Sequence, residues 1–166
     1  MNELGSYTRA PHLLGKFGEG LVTYTLIRKC FEVAVVDHVG ADLIAERGET
    51  RIAVSVKTRL FKAKSSESRM VLIGDEHSEK LEHFAKRFGC FDPVFAHVVC
   101  IADENIIRLF MVRVKDVKQS LDKVKNGYSF RFSKKHLIDP NRLPYVDYSS
   151  WDEKSFGIKY FDLDAS

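Results

Sequence analysis

Four residues in the first third of the chain have types and spacing that could serve phosphate-ester chemistry: Glu19, Asp42, Ser55 and Lys57. Two carboxylates can hold a hard cation such as Mg²⁺, which takes oxygen ligands in proteins. A lysine beside them can stabilise the negative charge that grows on a phosphate during the reaction. Together these residue types suit metal-assisted hydrolysis of a phosphodiester, provided that the fold brings them to one place.

A predicted hairpin brings three of the four together. Ser55 and Lys57 alternate within residues 51–58, so both side chains are predicted on the same face of a strand. Asp42 lies in the apolar run before it, and the turn sequence 46–49 predicts an antiparallel hairpin between the two runs. We therefore expect the Asp, the Ser and the Lys to converge at one edge of a sheet.

Glu19 can reach the same edge if a helix carries it over the sheet. Apolar residues recur at helical spacing over residues 13–31, which predicts such a helix. Glu19 stands between Gly18 and Gly20, and each glycine costs a helix about 1 kcal/mol relative to alanine. Close packing, or the close approach of a ligand, is the physical reason expected for two glycines at this point.

The order of these residues resembles the PD-(D/E)xK phosphodiesterase superfamily, and within it the archaeal Holliday junction resolvases most. The resemblance covers about residues 15–112, and the segments that carry it are Gly18-Glu19, Gly40 to Ala45, Ser55-Val56-Lys57, and Phe84 to Gly89 followed by Pro93. It implies a restriction-endonuclease-like α/β core with a mixed central sheet flanked by helices. It further implies Mg²⁺- or Mn²⁺-dependent cleavage of DNA, with branched or otherwise structured DNA favoured, by a homodimer that cuts two strands.

The resemblance also implies a role for each residue of the site. Asp42 would be the anchoring metal ligand, with Glu19 as a second carboxylate that binds directly or through water. The backbone carbonyl of Val56 would be a further ligand. Lys57 would orient the attacking water or stabilise the pentacovalent phosphate.

Ser55 is the one departure from the family's motif, which has Glu or Asp at that position. Some restriction enzymes of the superfamily also carry Ser-x-Lys and take the acid from a later segment. Glu67, Glu76 and Glu79 follow within reach in the sequence. We favour Glu76 as an additional metal ligand, because it follows a predicted buried strand directly and should open a helix at the same sheet edge as Lys57. The alternative is that no residue replaces the missing acid.

A basic segment follows the motif. Residues 51–69 carry six Lys and Arg side chains against one acid, whereas the whole chain has a net charge of only +3. Arg59, Lys62 and Lys64 are therefore predicted to contact DNA phosphates, which position a backbone without reading its sequence. The alternative is a solvated loop.

The remaining patterns predict one α/β domain over residues 1–166, with a core at about 13–112 and an extension at 113–166 of unknown role. Asp37 precedes a glycine and is expected in a connection between strands. Helices are predicted at 13–31, 74–88 and 114–124. Strands are predicted at 33–36, 41–45, 51–58, 70–73, 94–102, 106–112, 128–132 and 157–163.

Composition indicates a protein of the cytoplasm. The N-terminus lacks the apolar stretch of a secretory signal, and no apolar run approaches the ~18–20 residues of a membrane span. The cysteines Cys30, Cys90 and Cys100 are odd in number and widely spaced, which favours reduced thiols over disulfides or a zinc site.

Two rival functions stay open. The fold could be kept as a module that binds nucleic acid or a protein partner after losing catalysis, and Ser55 favours that reading. A restriction-type endonuclease with its own recognition sequence is the weaker rival, because no base-reading residues can be identified.

Overall fold

The helices and strands follow the predicted order through the first two thirds of the chain. The structure, a computed structural model, describes residues 10–61, 70–101, 105–131 and 146–151. The helices are α1 (Ala10–Arg28), α2 (Asp75–Arg87) and α3 (Val117–Ser120), with a 3₁₀ turn at Val114–Asp116. The strands are β1 (Glu32–His38), β2 (Ala41–Arg47), β3 (Thr50–Phe61), β4 (Met70–Gly74), β5 (Asp92–Ile101), β6 (Ile106–Arg113), β7 (Asp122–Val124), β8 (Gly127–Arg131) and β9 (Val146–Trp151).

Six of the described strands form a mixed sheet in the order β1-β2-β3-β5-β6-β9. β2 and β3 pair antiparallel, as predicted. β3 and β5 run parallel, in register from Ile52 opposite Asp92 to Phe61 opposite Ile101. A parallel pair needs a crossover connection, and β4 and α2 lie within it. The predicted α/β class, with a mixed sheet flanked by helices, is confirmed.

The two faces of the sheet are buried by different helices. On one face Leu21, Val22 and Leu26 of α1 join the core under β3 and β5. On the other face Leu81 and Phe84 of α2 pack over the opposite side of the same strands. Apolar positions three to four residues apart place these side chains along one stripe of each helix, which is what buries the helix on the sheet. None of the described helices is long and apolar enough to cross a membrane.

The segment beyond the core departs from prediction. The expected helix at 114–124 is only the 3₁₀ turn and α3, because Val124 pairs with Gly127 in a β7–β8 hairpin. β8 also pairs with β4, so the predicted strand at 70–73 belongs to a separate three-stranded sheet, β4-β8-β7. Leu72 of β4 is accordingly half exposed, whereas a fully buried strand was expected. Apolar residues recur at helical spacing over 114–124, but pairing of β7 with β8 requires extended backbone at 122–124.

The C-terminal part of the chain contributes to the main sheet. β9 was not predicted, and it pairs antiparallel with β6 along the edge of the six strands. Trp151 of β9 packs against the core under α1. The predicted strand at 157–163 lies outside the described residues.

Candidate active site

The carboxylate of Asp42 is bonded to the backbone of the neighbouring strand. The Val56 N–H donates a hydrogen bond of 2.6 Å to Asp42 Oδ2. Leu43 pairs with Val54, so one further step of this antiparallel register sets Asp42 opposite Ser55. The predicted hairpin therefore brings Asp42 against the segment that contains Ser55 and the lysine two residues beyond it.

A glycine turn fixes where β2 begins. Gly40 has a φ of +113°, a conformation that favours glycine. A Cβ at this position would lie 2.7 Å from the backbone oxygen of Lys80 in α2, so a side chain would also push the turn away from the helix. The turn and the helix are thus in close contact two residues before Asp42.

β1 carries one extra residue opposite Asp42. Val35 pairs with Leu43 and His38 pairs with Ala41, so Val36 and Asp37 together face the single residue between. Such β-bulges bend a strand and redirect its side chains, and they are common beside active sites. The expectation that Asp37 lies in a connection is wrong, because the bulge keeps it within β1.

Ser55 and Lys57 lie on β3 in the centre of the sheet. Ser55 is buried and Lys57 is half-buried, and the parallel register sets them beside Phe95 and His97 of β5. Register partners in a sheet project to the same face. The face that carries the candidate catalytic lysine therefore also carries a histidine.

Glu19 approaches through the close contact of α1 with β3. A Cβ on Gly18 would overlap Thr58 Oγ1 outright and lie 3.1 Å from the Thr58 Cβ, so the helix is this close only because residue 18 is glycine. Gly20 has open space where its Cβ would be. Of the two reasons predicted for the pair of glycines, close packing explains Gly18 but not Gly20, and the approach of a ligand stays a prediction. The Glu19 side chain is 21% exposed.

Lys16 is a site residue that the sequence reasoning missed. Its ammonium donates to Glu19 Oε2 at 2.8 Å. This hydrogen bond and the charge of Glu19 raise the pKa of Lys16, and attraction by Asp37 and Asp42 adds to the shift. Lys16 is thus bonded within its own helix, and its charge is also stabilised by the two aspartates of β1 and β2. The spacing of three residues between Lys16 and Glu19 on a predicted helix was the available signal.

His97 is a second residue that was missed. It is 4% exposed in the middle of β5, and neither ring nitrogen has a hydrogen-bond partner in the part of the chain that the structure describes. Burial, together with the charges of Lys57 and Arg59, lowers the pKa of His97 to about 3 from 6.5, so the ring is neutral. It stands within an apolar run, where a histidine gives no sign of a role.

The predicted DNA-contacting residues are described in part. Arg59 is exposed on β3, two residues beyond Lys57, and its side chain is predicted on the same face. Lys62 and Lys64 lie outside the described residues.

A solved nuclease is similar to this chain over most of its length. The Holliday junction resolvase Hjc of Archaeoglobus fulgidus matches with a TM-score of 0.51 at 19% sequence identity, over 80% of this chain and 89% of that chain. The chain therefore shares the fold of this resolvase. A bacterial homing endonuclease also matches, at 13% identity over 81% of this chain and 87% of that one, but its TM-score of 0.46 is too low to support an argument. No protein-family model and no curated protein matches the sequence.

Among the residues that the structure describes, no third acid is placed with Asp42 and Glu19 to hold a metal ion. No group of three His, Cys, Asp or Glu side chains among them is placed to hold a metal ion. Glu76, the predicted substitute for the missing acid, opens α2 at the surface and accepts a 2.5 Å hydrogen bond from Lys80. This bond and the charge of Lys80 hold the pKa of Glu76 below its usual value. The carboxylate is thus charged and paired on its own helix.

Proposed function

We propose that the protein is a metal-dependent endonuclease that hydrolyses DNA phosphodiester bonds, with branched or otherwise structured DNA as its substrate. The observation that carries the proposal is the bond from the Val56 N–H to Asp42, within the segment Ser55-Val56-Lys57. It supports one cluster of a carboxylate, a peptide group and a lysine, which is the arrangement that phosphodiester hydrolysis can use.

The donor set fits a hard divalent cation. Asp42 and Glu19 supply carboxylate oxygens, and the Val56 carbonyl would supply a third oxygen. Mg²⁺ is typically bound by one or two carboxylates, with waters and substrate phosphate oxygens completing the set. When bound, the cation would neutralise charge on the phosphate and acidify the attacking water. The hydrogen bond from Val56 uses Oδ2 of Asp42, so Oδ1 would be the oxygen that binds the cation.

The cations of the chain would act on the phosphate itself. Lys57 is half-buried, so its charge is less screened than that of a surface lysine and would stabilise the negative charge of the transition state. Arg59 follows on the exposed end of β3, where it would contact the DNA backbone together with Lys62 and Lys64.

Two further features belong to the proposal. Cutting both strands of a branched substrate requires two sites, so we propose a homodimer. All three cysteines are free thiols, with Cys90 and Cys100 buried, and this favours a reducing compartment such as the cytoplasm.

The central test is cleavage of a branched DNA junction by isosteric variants of the site. Asp42→Asn keeps an oxygen that can accept from Val56 but removes the charge, and Lys57→Met keeps the stem of the side chain. Each should lower the cleavage rate by about 100-fold or more with Mg²⁺ or Mn²⁺, because each removes charge stabilisation at the reacting phosphate. The matched control is Asp122→Asn on exposed β7, which should cleave like the parent. Parental cleavage by the Asp42→Asn protein would refute the assignment.

Ser55 stands where the resembled motif has a carboxylate, and the effect of this difference on metal binding can be measured separately. Ser55→Glu should lower the Mn²⁺ concentration that raises the melting temperature, since it adds a third carboxylate beside Asp42. Ser55→Gln has the same size without the charge and controls for the change of volume at this buried position. Glu76→Ala should weaken metal binding if Glu76 is the replacement acid. Parental metal binding by Glu76→Ala would show that Glu76 is not a metal ligand.

The alternative function is a nuclease-fold module that binds nucleic acid or a protein partner without cutting. Ser55 favours it, because no three acids among the described residues are placed to hold a metal ion. Tight binding of junction DNA, with neither cleavage nor a melting-temperature response to Mg²⁺ or Mn²⁺, would establish this alternative.

A further inference from the structure

His97 is a buried polar side chain for which the fold gives no structural partner. It lies in the centre of β5, paired with Lys57 of β3 on one side and with Phe110 of β6 on the other. Its ring packs against that of Phe95, with 6.2 Å between the ring centroids. Neither ring nitrogen is hydrogen-bonded to a described residue. Buried polar atoms are nearly always bonded in native proteins, so an exception of this kind calls for an explanation.

The neighbours of the ring narrow what it can bind. Burial, and after it the charges of Lys57 and Arg59, oppose protonation of the imidazole, so the ring is neutral and one of its nitrogens offers a lone pair. Both neighbours are pure donors that need acceptors. Lys57 is the register partner of His97 and is half-buried, whereas Arg59 is two residues further along and exposed.

We propose that His97 is a positioning residue for Lys57: a buried water accepts a hydrogen bond from the Lys57 ammonium and donates one to a ring nitrogen, and so fixes where that ammonium points. This rests on the proposed function, in which Lys57 faces the scissile phosphate. A lysine has four rotatable bonds in its side chain, and an acceptor behind its head group would select the few rotamers that reach the site.

Kinetics of two variants provide the first test. His97→Phe removes both nitrogens and keeps an aromatic ring of similar size, whereas His97→Gln keeps an amide acceptor. The Phe variant should lose on the order of 10- to 100-fold in kcat, with KM for DNA and the Mg²⁺ midpoint within about twofold of the parent, because only the placement of Lys57 changes. The Gln variant should recover most of the lost rate. A folded Phe variant with the parental kcat would overturn the proposal, and so would a Gln variant as slow as Phe.

Nitrogen NMR of the imidazole rings tests the bond itself, without DNA or activity. The chain has six histidines, and loss of one set of signals in His97→Gln assigns the ring. A neutral ring gives one protonated nitrogen and one bare nitrogen, and hydrogen bonding moves the bare nitrogen upfield. Lys57→Met should return that signal towards the position of an unbonded nitrogen, and Arg59→Met should leave it in place.

The two tests separate the inference from the function on which it rests. A parent that cleaves no DNA would count against the proposed function, while the NMR comparison would still decide whether His97 holds Lys57. No change of the bare nitrogen signal in Lys57→Met, or an equal change in Arg59→Met, would refute the positioning role even if the His97→Phe protein fails to fold.

Discussion

The contact between α1 and β3 predicts opposite effects for two neighbouring glycines. In Gly20→Ala the new methyl group meets open space, so only the higher helix propensity of alanine acts. It should stabilise the helix by up to about 1 kcal/mol. In Gly18→Ala the new methyl overlaps Thr58 Oγ1 and lies 3.1 Å from the Thr58 Cβ. A rotation of Thr58 can move its oxygen, but its Cβ belongs to a central strand and cannot move freely.

The difference in stability between the two variants follows from steric overlap at residue 18 and from the helix propensity of alanine. Overpacking of this kind costs about 1–3 kcal/mol. The helix preference offsets about 1 kcal/mol of that cost, so Gly18→Ala should destabilise the protein by up to about 2 kcal/mol. The two variants should thus differ by about 1–3 kcal/mol in the free energy of unfolding. For a chain of this length, each kcal/mol corresponds to roughly 2–4 °C in melting temperature.

Urea unfolding of both variants, with the slope of the transition compared to the parent, is the appropriate assay. A double-mutant cycle with Thr58→Ala should recover part of the cost of Gly18→Ala, because it removes the oxygen and one methyl from the contact. Displacement of α1 should also raise the metal concentration needed to stabilise the Gly18→Ala protein, since Glu19 moves with the helix. Equal stability changes for the Gly18 and Gly20 variants would show that the helix does not rest on β3 at residue 18.

Two further predictions concern charge. Replacing Arg59, Lys62 and Lys64 together with Ala should weaken DNA binding similarly across sequences. The slope of log affinity against log salt concentration should become shallower by roughly 0.9 per lost contact on duplex DNA. An unchanged slope would mean that these side chains only face solvent. The low pKa of His97, about 3 in the folded protein against 6.5, makes the unfolded state bind a proton that the folded state does not, so stability is lost as the pH falls below 6.5. Between pH 7 and pH 5 the free energy of unfolding of the parent should fall by about 2 kcal/mol more than that of the His97→Phe protein. Urea unfolding of both proteins at the two pH values would measure this difference.

The local part of the site was predictable from the sequence. The alternation of Ser55 and Lys57 and the turn before them defined a hairpin, and the register of a short hairpin follows from its turn and its apolar pattern. Asp42 was therefore expected to converge with Ser55 and Lys57, and the bond from its carboxylate to Val56, which lies between them, agrees with that expectation. Two glycines in a helix predicted a close contact, although only Gly18 makes one.

The neighbours that surround this hairpin came only from the tertiary structure. His97 lies forty residues beyond Lys57, and the parallel pairing of β3 with β5 makes them adjacent. Such a register depends on how the crossover segment packs, so no local pattern reports it. Asp37 was expected in a connection and lies in a bulge opposite Asp42, because pairing of β1 with β2 continues to His38.

The three-stranded sheet shows how pairing overrides local preference. Residues 114–124 have helical spacing, yet they end as the strand β7, because β8 pairs with both β7 and β4. Gly127 has a φ of +148°, and a Cβ there would overlap the backbone oxygen of Ile73. The contact between β8 and β4 at this point therefore requires glycine. The sequence alone determined the hairpin of the site, because its contacts join residues that are close together in the chain, on either side of one turn. The tertiary structure decided which charges and which buried ring surround that hairpin, because those contacts depend on packing between distant segments.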